Sequence, residues 1–226
     1  LTFAATHATL GRELFKTNGT GSLVLIKDIN TSGDSNPTNV TLIGGGILYF
    51  SADNGTNGQE LWSSNGNNSG TNMLKDINPT GSSNPSKFTL VGSDIYFVAD
   101  DGTNGVEIWK TDGTNGGTVM VKNIHPSGSS NPTSLIEYNG KLYFAAYEPT
   151  FGYEVYVSDG TSTGTNRITN SGSLATIPIE FKVMNNELFF SLGGGLSYGF
   201  ELYAYKDPAL ATANFQLNDS KIALYP

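Results

Sequence analysis

The chain has 226 residues and a formal net charge of −8, and charged side chains make up 14% of it. This acidic balance argues against binding to nucleic acid or to an anionic membrane surface, because both usually need a basic patch. Cysteine is absent, which excludes disulfides, thiolate metal sites and a cysteine nucleophile. No apolar run is long enough to predict a membrane-spanning helix.

One short step recurs along the chain: glycine, any residue, glutamate, an aliphatic residue and an aromatic residue, as in Gly58-Gln-Glu60-Leu-Trp62. The copies are spaced 47 residues apart, so the chain is an internal repeat whose units share a continuous core. A residue that is present in every copy is more simply explained by a role in the shared scaffold than by a role in one active site. We therefore predict that these glutamates are structural and accept backbone or hydroxyl hydrogen bonds. The five copies begin at Gly11, Gly58, Gly105, Gly152 and Gly199.

Each copy contains up to four short runs of apolar and aromatic residues separated by turn residues. In the second copy the predicted strands are residues 47–52, 59–62, 71–77 and 87–91. The Asn-Gly steps after the first run predict a tight hairpin turn with positive φ at both turn residues. Prolines such as Pro85 are expected to keep the loop before the fourth run out of any strand ladder.

Four short antiparallel strands per 47 residues predict an all-β fold, a β-propeller built from tandem four-stranded blades. A stacked β-solenoid or a row of small sandwiches is the alternative, although solenoid coils repeat at shorter periods. About five blades are visible and the first begins one strand short, so either the last segment completes the first blade or upstream sequence is missing. We expect the second, with the visible part an arc of a larger ring. The aromatic residues predicted to lie between blades are Phe15, Trp62, Trp109, Tyr156 and Tyr203, together with Phe3, Phe50, Phe97, Phe144 and Phe190.

Three segments carry a family resemblance: Glu107-Ile-Trp-Lys-Thr-Asp-Gly-Thr114, Met73-Leu-Lys-Asp-Ile-Asn-Pro79 and Gly140-Lys-Leu-Tyr-Phe144. Together they resemble the ELWxxDGT repeats of large secreted and surface proteins of bacteria. The resemblance covers residues 1–206 and implies a propeller-like extracellular module, without implying a settled activity. The chain departs from the pattern at Asn18-Gly-Thr20 and Asn65-Gly-Asn67, where the family has Asp-Gly-Thr.

Residues 207–226 are predicted to be a linker that leads into a truncated sorting domain. The final segment, 215–226, resembles the start of a type A sorting domain of the type IX secretion system of Bacteroidetes. The matching residues are Ile222, Leu224, Tyr225 and Pro226. This resemblance implies that the type IX machinery is a partner and that the protein is secreted or displayed outside the outer membrane. A final strand with a frayed terminus is the other interpretation.

The turn after one run of each copy is rich in Asp and Asn, which are calcium ligands when enough oxygens converge. The weak calcium candidates are Asp53, Asp100 and Asp101. Hairpin-turn chemistry explains these residues without a metal, so we predict no metal site and no cofactor. Asp112 and Asp159 are likewise expected to bond to their own turns.

Residues that could support catalysis are few. His7 and His125 fall in predicted surface loops, and neither has a second histidine nearby in sequence. Glu137 and Glu180 are isolated acids on the strand type expected to line a central channel. The sequence therefore favours a non-catalytic module for adhesion or ligand binding over an accessory part of an extracellular polysaccharide-degrading enzyme. A spacer without a ligand is a third interpretation.

Departures from the repeat indicate where a ligand could bind. Polar Asn57 and Asn104 are replaced by aromatic residues in the fourth and fifth copies, and neighbouring positions change in the same way. Such a cluster could stack on sugar rings or contact another protein. It could also cover the last blades or pack on a sorting domain. The predicted ligand-binding residues are Tyr147, Phe151, Tyr153, Tyr198 and Phe200, with Glu148 close by.

Overall fold

The structure is a computed structural model that describes residues 1–170, 177–194 and 199–206. Within these ranges all regular secondary structure is β, arranged as five antiparallel sheets, and no helix could cross a membrane. The predicted sorting-tail residues lie outside the described ranges. The all-β prediction is confirmed.

The chain divides into two compact units, Leu1–Ser129 and Ser130–Pro226. The first unit contains three sheets in chain order. Sheet 1 consists of β1 (Thr2–His7), β2 (Gly11–Thr17) and β3 (Leu23–Lys27). Sheet 2 consists of β4 (Thr38–Ile43), β5 (Ile47–Asp53), β6 (Gln59–Ser64) and β7 (Thr71–Lys75). Sheet 3 consists of β8 (Ser86–Val91), β9 (Asp94–Asp100), β10 (Val106–Thr111) and β11 (Val119–Lys122).

The second unit contains two sheets of the same plan. Sheet 4 consists of β12 (Thr133–Tyr138), β13 (Lys141–Glu148), β14 (Gly152–Ser158) and β15 (Asn166–Arg167). Sheet 5 consists of β16 (Ile179–Met184), β17 (Glu187–Gly194) and β18 (Gly199–Tyr205). In every sheet the strands follow one another as neighbours, because short turns favour antiparallel pairing of consecutive strands.

The grouping of strands into sheets differs from the prediction at one point. We predicted that residues 87–91 close the repeat that begins at residue 47. Instead β8 pairs with β9 in the next sheet, with Val91 opposite Asp94. The two residues between these strands make a tight hairpin, whereas the proline-containing loop separates β7 from β8. A repeat that starts at residue 47 and ends at residue 91, as predicted from the sequence, therefore contains three strands of one sheet and one strand of the next.

The predicted two-residue hairpin turn is also wrong. The loop between β5 and β6 runs from Asn54 to Gly58, and only its two glycines have positive φ. The side-chain oxygen of Asn54 accepts hydrogen bonds from the backbone N–H of Thr56 (3.0 Å) and Asn57 (2.9 Å). The asparagine thus closes the loop with its side chain rather than by adopting a left-handed backbone.

Neighbouring sheets within each unit pack face to face. Phe50 and Trp62 of sheet 2 lie in one buried cluster with Leu14 and Ile26 of sheet 1. The same positions recur in the cluster that joins sheet 2 to sheet 3 and in the one that joins sheet 4 to sheet 5. Burying one such side chain contributes about 1.5–3 kcal/mol, so these clusters hold the sheets together. The predicted inter-sheet role is confirmed for Phe50, Trp62, Phe97, Trp109 and Phe190.

Two of the predicted aromatic positions are less buried than the others. Phe3, the counterpart of the fully buried Phe50, is half-buried on β1. Tyr203 on β18 is 37% exposed, although its ring stacks on Phe190 at 5.9 Å between centroids. Both residues lie in three-stranded sheets, at the first and last positions of the described series.

The repeated glutamates are scaffold residues, as predicted. Glu60 is fully buried, and its carboxylate accepts hydrogen bonds from the backbone N–H of Ile77 (2.7 Å) and Ser83 (2.9 Å) and from the Ser83 hydroxyl (2.6 Å). Glu13 binds Ile29 and Ser35 in the same way. The backbone carbonyl of Ser35 in turn accepts from Asp53 of sheet 2. Each glutamate therefore anchors the loop that carries the chain to the next sheet.

The Asp-Gly-Thr turns also behave as predicted. The carboxylate of Asp112 accepts from the backbone N–H (2.9 Å) and the hydroxyl (2.7 Å) of Thr114, and Asp159 does the same with Thr161. The side-chain hydrogen bond from the threonine is the main reason why the pKa of each carboxyl is lowered. Each aspartate therefore closes its own turn.

Candidate functional site

The fourth hairpin, formed by β13 and β14, carries the aromatic substitutions that distinguish it from the hairpins before it. Tyr147 and Tyr153 face each other across the two strands, and Phe151 lies in the connecting turn. Gly152 has φ +77° and allows the chain to re-enter the strand after Phe151. All three rings are half-buried, so each keeps surface that is open to solvent.

The Tyr147 and Tyr153 rings form one part of the site. Their centroids are 5.4 Å apart and the rings meet edge to face at 62°. This geometry is favourable because the positive edge of one ring points at the negative face of the other. The pair holds both rings in place and leaves phenolic hydroxyls that can donate or accept hydrogen bonds.

Phe151 and Arg167 form the second part. The guanidinium carbon of Arg167 lies 3.4 Å from the centroid of the Phe151 ring, and Nη1 donates to Oδ1 of Asn170 at 3.3 Å. Arg167 reaches this position because it pairs with Tyr156 in the β14–β15 ladder. A cation held over an aromatic face contributes about 0.5–1 kcal/mol at an exposed site.

Glu148 lies beside this second part. Its carboxylate accepts a hydrogen bond of 3.3 Å from the hydroxyl of Tyr156, whose ring is buried and stacks on Phe144. Burial raises the pKa of Tyr156, and the nearby negative charge of Glu148 raises it further. The phenol therefore remains a hydrogen-bond donor to Glu148.

The two parts lie on opposite faces of the hairpin, because side chains alternate along a strand. Tyr147 and Tyr153 occupy one face, and Glu148 and Tyr156 follow on the other. The hairpin end offers flat rings and a carboxylate acceptor, and β15 adds the N–H donors of Arg167 on the face of Tyr156. Rings combined with charged hydrogen-bonding groups suit a ligand that has apolar faces and many hydroxyls.

The second and third hairpins have polar networks at the corresponding place. In the second, Asn54 donates to Asn57 (2.9 Å), which donates to Asp76 (2.6 Å). In the third, Asn104 donates to Asp101 (2.7 Å) and accepts from Asn123 (2.8 Å). These side chains bond to one another. The fourth hairpin has lost this network.

The structure brings together three of the five predicted ligand-binding residues. Tyr147, Phe151 and Tyr153 share the hairpin end. Tyr198 lies outside the described residues. For Phe200 only the backbone is described, and it pairs with Gly193 in sheet 5.

Sequence reasoning missed Arg167 and Tyr156 as members of this group. Arg167 stands where the second and third copies have Met73 and Met120, which pack against the inter-sheet clusters. A charged residue in place of a core methionine is a departure as strong as the aromatic ones. It could have been found by comparing the copies.

The weak calcium candidates bond to their own turns. Asp53 accepts from the backbone N–H of Gly55 and Asp100 from that of Gly102, each at 2.7 Å. Asp101 accepts from Thr103 and Asn104. Among the described residues no group of three or more His, Asp or Glu side chains could hold a metal ion.

The remaining candidates for chemistry are separated. His7 is exposed, whereas the half-buried His125 donates its backbone N–H to Glu107 at 3.2 Å. Glu137 accepts from the backbone N–H of Gly140 at 2.8 Å and so closes its own turn. Glu180 is exposed and has φ 59° in a β-bulge of β16.

Comparisons with known proteins describe the fold. No family model and no curated protein matches the chain. Two solved structures share its fold: a prolyl endopeptidase (11% identity, TM-score 0.52) and a puromycin hydrolase (10%, 0.53). They cover 90% and 91% of this chain, which spans only about a third of theirs, 31% and 36%. An α-L-arabinofuranosidase from Clostridium thermocellum also matches, at 13% identity and a TM-score of 0.32, over 88% of this chain and 80% of its own.

Proposed function

We propose that the chain is a non-catalytic module of a secreted or cell-surface protein and that it binds extracellular carbohydrate at the end of the β13–β14 hairpin. One observation carries the proposal. The fourth hairpin presents half-exposed aromatic rings and an arginine where the second and third hairpins have closed polar networks. The scaffold role that the copies share does not require these aromatic residues, because the second and third hairpins lack them.

Carbohydrate fits the chemistry of this hairpin end better than an apolar ligand does. The C–H face of a sugar ring stacks on an aromatic side chain, and its hydroxyls need donors and acceptors close by. Tyr153 and Phe151 offer ring surface on the two faces of the hairpin. Arg167 on β15 supplies N–H donors next to the Phe151 ring, and Glu148 at the end of β13 supplies acceptor oxygens.

A binding role is favoured over catalysis because the buried carboxylates are committed to the backbone. Glu13 and Glu60 each accept hydrogen bonds from two or more groups of the following loop, and Glu154 accepts from the Thr169 hydroxyl. General acid–base catalysis needs a carboxyl group that can reach the substrate. These carboxylates are fully buried and hold loops together.

The test is a glycan-array screen followed by titration calorimetry with the best ligand. Tyr153→Ala and Phe151→Ala are each expected to weaken binding by about 1 kcal/mol, roughly fivefold in Kd, because each removes one stacking ring. Tyr203→Ala is the matched control, since it removes an exposed aromatic residue from another sheet. It is expected to leave Kd unchanged.

The same samples separate the competing interpretations. Equal Kd values for the wild type and both hairpin variants would reject the site. Release of reducing ends from a polysaccharide by the wild type would favour the enzyme interpretation. Binding to no glycan would reject carbohydrate as the ligand.

We also propose that the five sheets are blades of a β-propeller. The support is that the same residue positions join sheet 1 to sheet 2, sheet 2 to sheet 3 and sheet 4 to sheet 5. Hydrogen bonds accompany this packing. The side chain of Asn39 of β4 donates to the carbonyl of Pro85 (3.0 Å), and the hydroxyl of Ser134 of β12 donates to the carbonyl of Pro178 (3.4 Å). An extended small-angle scattering profile would contradict a ring.

The route of export is a separate proposal that rests on the tail resemblance. If residues 222–226 belong to a type IX sorting signal, Leu224→Ala with Tyr225→Ala in the native gene should move the protein from the culture medium or cell surface into the periplasm. Cell fractionation with an antibody to the repeat region measures this. Unchanged export of the double variant would count against the type IX route.

A further inference from the structure

We propose that Asn18 is a site of spontaneous deamidation and that the aspartate formed completes an Asp-Gly-Thr turn like those of the third and fourth copies. The chain contains seven Asn-Gly steps, at Asn18, Asn54, Asn57, Asn65, Asn104, Asn115 and Asn139. Glycine after asparagine leaves the backbone nitrogen open to attack the side-chain amide, since no Cβ shields it. The structure distinguishes Asn18 from Asn57, Asn65, Asn104 and Asn115 through three differences.

The first difference is the side-chain nitrogen that must leave. Asn57 donates through this nitrogen to Asp76 (2.6 Å), Asn104 to Asp101 (2.7 Å) and Asn115 to the carbonyl of Leu74 (3.0 Å). Loss of ammonia from these residues would break a hydrogen bond. The side chain of Asn18 is bonded through its oxygen, which accepts from the backbone N–H (3.0 Å) and hydroxyl (2.7 Å) of Thr20.

The second difference is the lock on the turn. In the second to fourth copies a pair of hydroxyls closes the base of this turn, at 2.7–2.8 Å, and the second hydroxyl also donates to a carbonyl inside the turn. In the first copy the residue opposite Thr17 is Leu23, which is 55% exposed. Leucine cannot form this bridge. The locking pairs are Ser64–Thr71, Thr111–Thr118 and Ser158–Thr165.

The third difference is space. A Cβ placed on Gly70, Gly117 or Gly164 would lie 2.0 Å from the side-chain oxygen of the Asn or Asp that opens its turn. The amide of Asn65 is therefore packed against Gly70. In the first copy the corresponding residue is Ser22, whose carbonyl accepts from the backbone N–H of Asn18 as that of Gly70 does from Asn65, so the first turn lacks this glycine. The residues from Asn18 to Ser22 are all exposed, so this turn has room to change conformation.

The reaction needs only water. The backbone nitrogen of Gly19, which donates to the Thr17 hydroxyl at 3.0 Å in the closed turn, swings away and attacks Cγ of Asn18. The bond from Cγ to the side-chain nitrogen breaks, the proton of the Gly19 nitrogen passes to the leaving group, ammonia departs, and a five-membered succinimide forms. Water opens the ring at either carbonyl and yields aspartate or isoaspartate. One water is consumed and one ammonia is released.

The aspartate product fits the turn that is already present. Asp112 and Asp159 hold this position in the third and fourth copies, with the same pair of bonds to a threonine two residues later. Conversion of Asn18 changes the net charge from −8 to −9 and gives Asp-Gly-Thr at residues 18–20. The first turn thereby gains the carboxylate that its counterparts have.

The experiment is a time course of tryptic mapping on the whole chain, stored in mildly alkaline buffer. Cleavage after Lys16 and Lys27 gives a peptide with Asn18 as its only asparagine, and cleavage after Lys110 and Lys122 gives one with Asn115 alone. The first peptide is expected to gain the mass of an amide-to-carboxyl change, while the second stays unchanged. Conversion of the Asn115 peptide at the same rate, or an unmodified Asn18 peptide, would overturn the proposal.

Two variants complete the test. Asn18→Gln is expected to remove one acidic species from ion-exchange profiles of aged protein. Asn18→Asp is expected to melt at the same temperature as the freshly purified wild type, because the aspartate takes over the bonds to Thr20. A clear fall in its melting temperature would show that the turn rejects the product.

Discussion

Replacing Glu60 by alanine is expected to lower the free energy of unfolding by about 4 kcal/mol or more, because three donors lose their acceptor inside the protein. The carboxylate is fully buried and accepts from the backbone N–H of Ile77, the backbone N–H of Ser83 and the Ser83 hydroxyl. Ile77, Ser83 and Glu60 are all buried, next to the loop that leads to β8. Urea denaturation of the wild type and the variant measures the loss.

Two comparisons isolate the carboxylate from the rest of the side chain. Glu137→Ala removes an exposed glutamate that closes a single turn, and it should cost about 1 kcal/mol or less. Ser83→Ala removes one donor to Glu60, so the double variant with Glu60→Ala should cost less than the sum of the two. Additive losses, or a Glu60→Ala cost no greater than that of Glu137→Ala, would contradict the anchoring role.

The same carboxyl predicts a pH dependence with a definite sign. Burial raises the pKa of Glu60 above its ordinary value of 4.5, and the hydrogen bonds from Ser83 and Ile77 offset this only in part. A raised pKa in the folded state means that the stabilising contribution is full below 4.5 and is lost as the pH rises through the folded value. As the pH falls from above the folded pKa of Glu60 to 4.5, the free energy of unfolding should therefore rise less for Glu60→Gln than for the wild type. Denaturation at a series of pH values measures the difference.

The strands could be predicted from the sequence because their apolar runs are short and clearly bounded. In the second copy β5, β6 and β8 match the predicted runs to within two residues, whereas β7 ends at Lys75 rather than at residue 77. The sheets could not be assigned in the same way. The repeat interval gives the same spacing whether β8 belongs with β7 or with β9. Only the two-residue turn between Val91 and Asp94 decides it.

The candidate site could be predicted in part for a related reason. Tyr147, Phe151 and Tyr153 break the repeat pattern visibly and lie close together in sequence. Arg167 lies sixteen residues beyond Phe151, and its contact with that ring depends on the register of β14 against β15. Sequence spacing alone does not give the register of a two-residue strand. The repeat pattern therefore locates the hairpin, whereas the contact between Arg167 and Phe151 is seen only in the structure.

The glycine that opens each repeated step has a reason that only the structure shows. Gly58 has φ +77°, and a Cβ at this position would lie 2.6 Å from the backbone oxygen of Gly81 and 2.6 Å from the Ser82 hydroxyl. Gly11 and Gly105 make the same close approach to the loop that follows their sheets. The glycine thus lets the loop anchored by the neighbouring glutamate lie directly against the hairpin. The glycine and glutamate of one step hold the same loop from two sides.

Gly58→Ala is therefore expected to lower the free energy of unfolding by about 3 kcal/mol, from a strained backbone and from a clash with a backbone atom that cannot move aside. Gly92→Ala is the matched control, because Gly92 has φ +61° but nothing lies within 4 Å of its Cβ position. It should lose only the backbone strain, about 1–2 kcal/mol. The difference between the two losses, measured by urea denaturation, is the cost of pushing the loop away. If the two variants lost the same stability, the close approach of Gly81 would not explain the glycine. Gly105→Ala should then repeat the Gly58 result, since its Cβ would meet Gly128 and Ser129 at 2.6–2.7 Å.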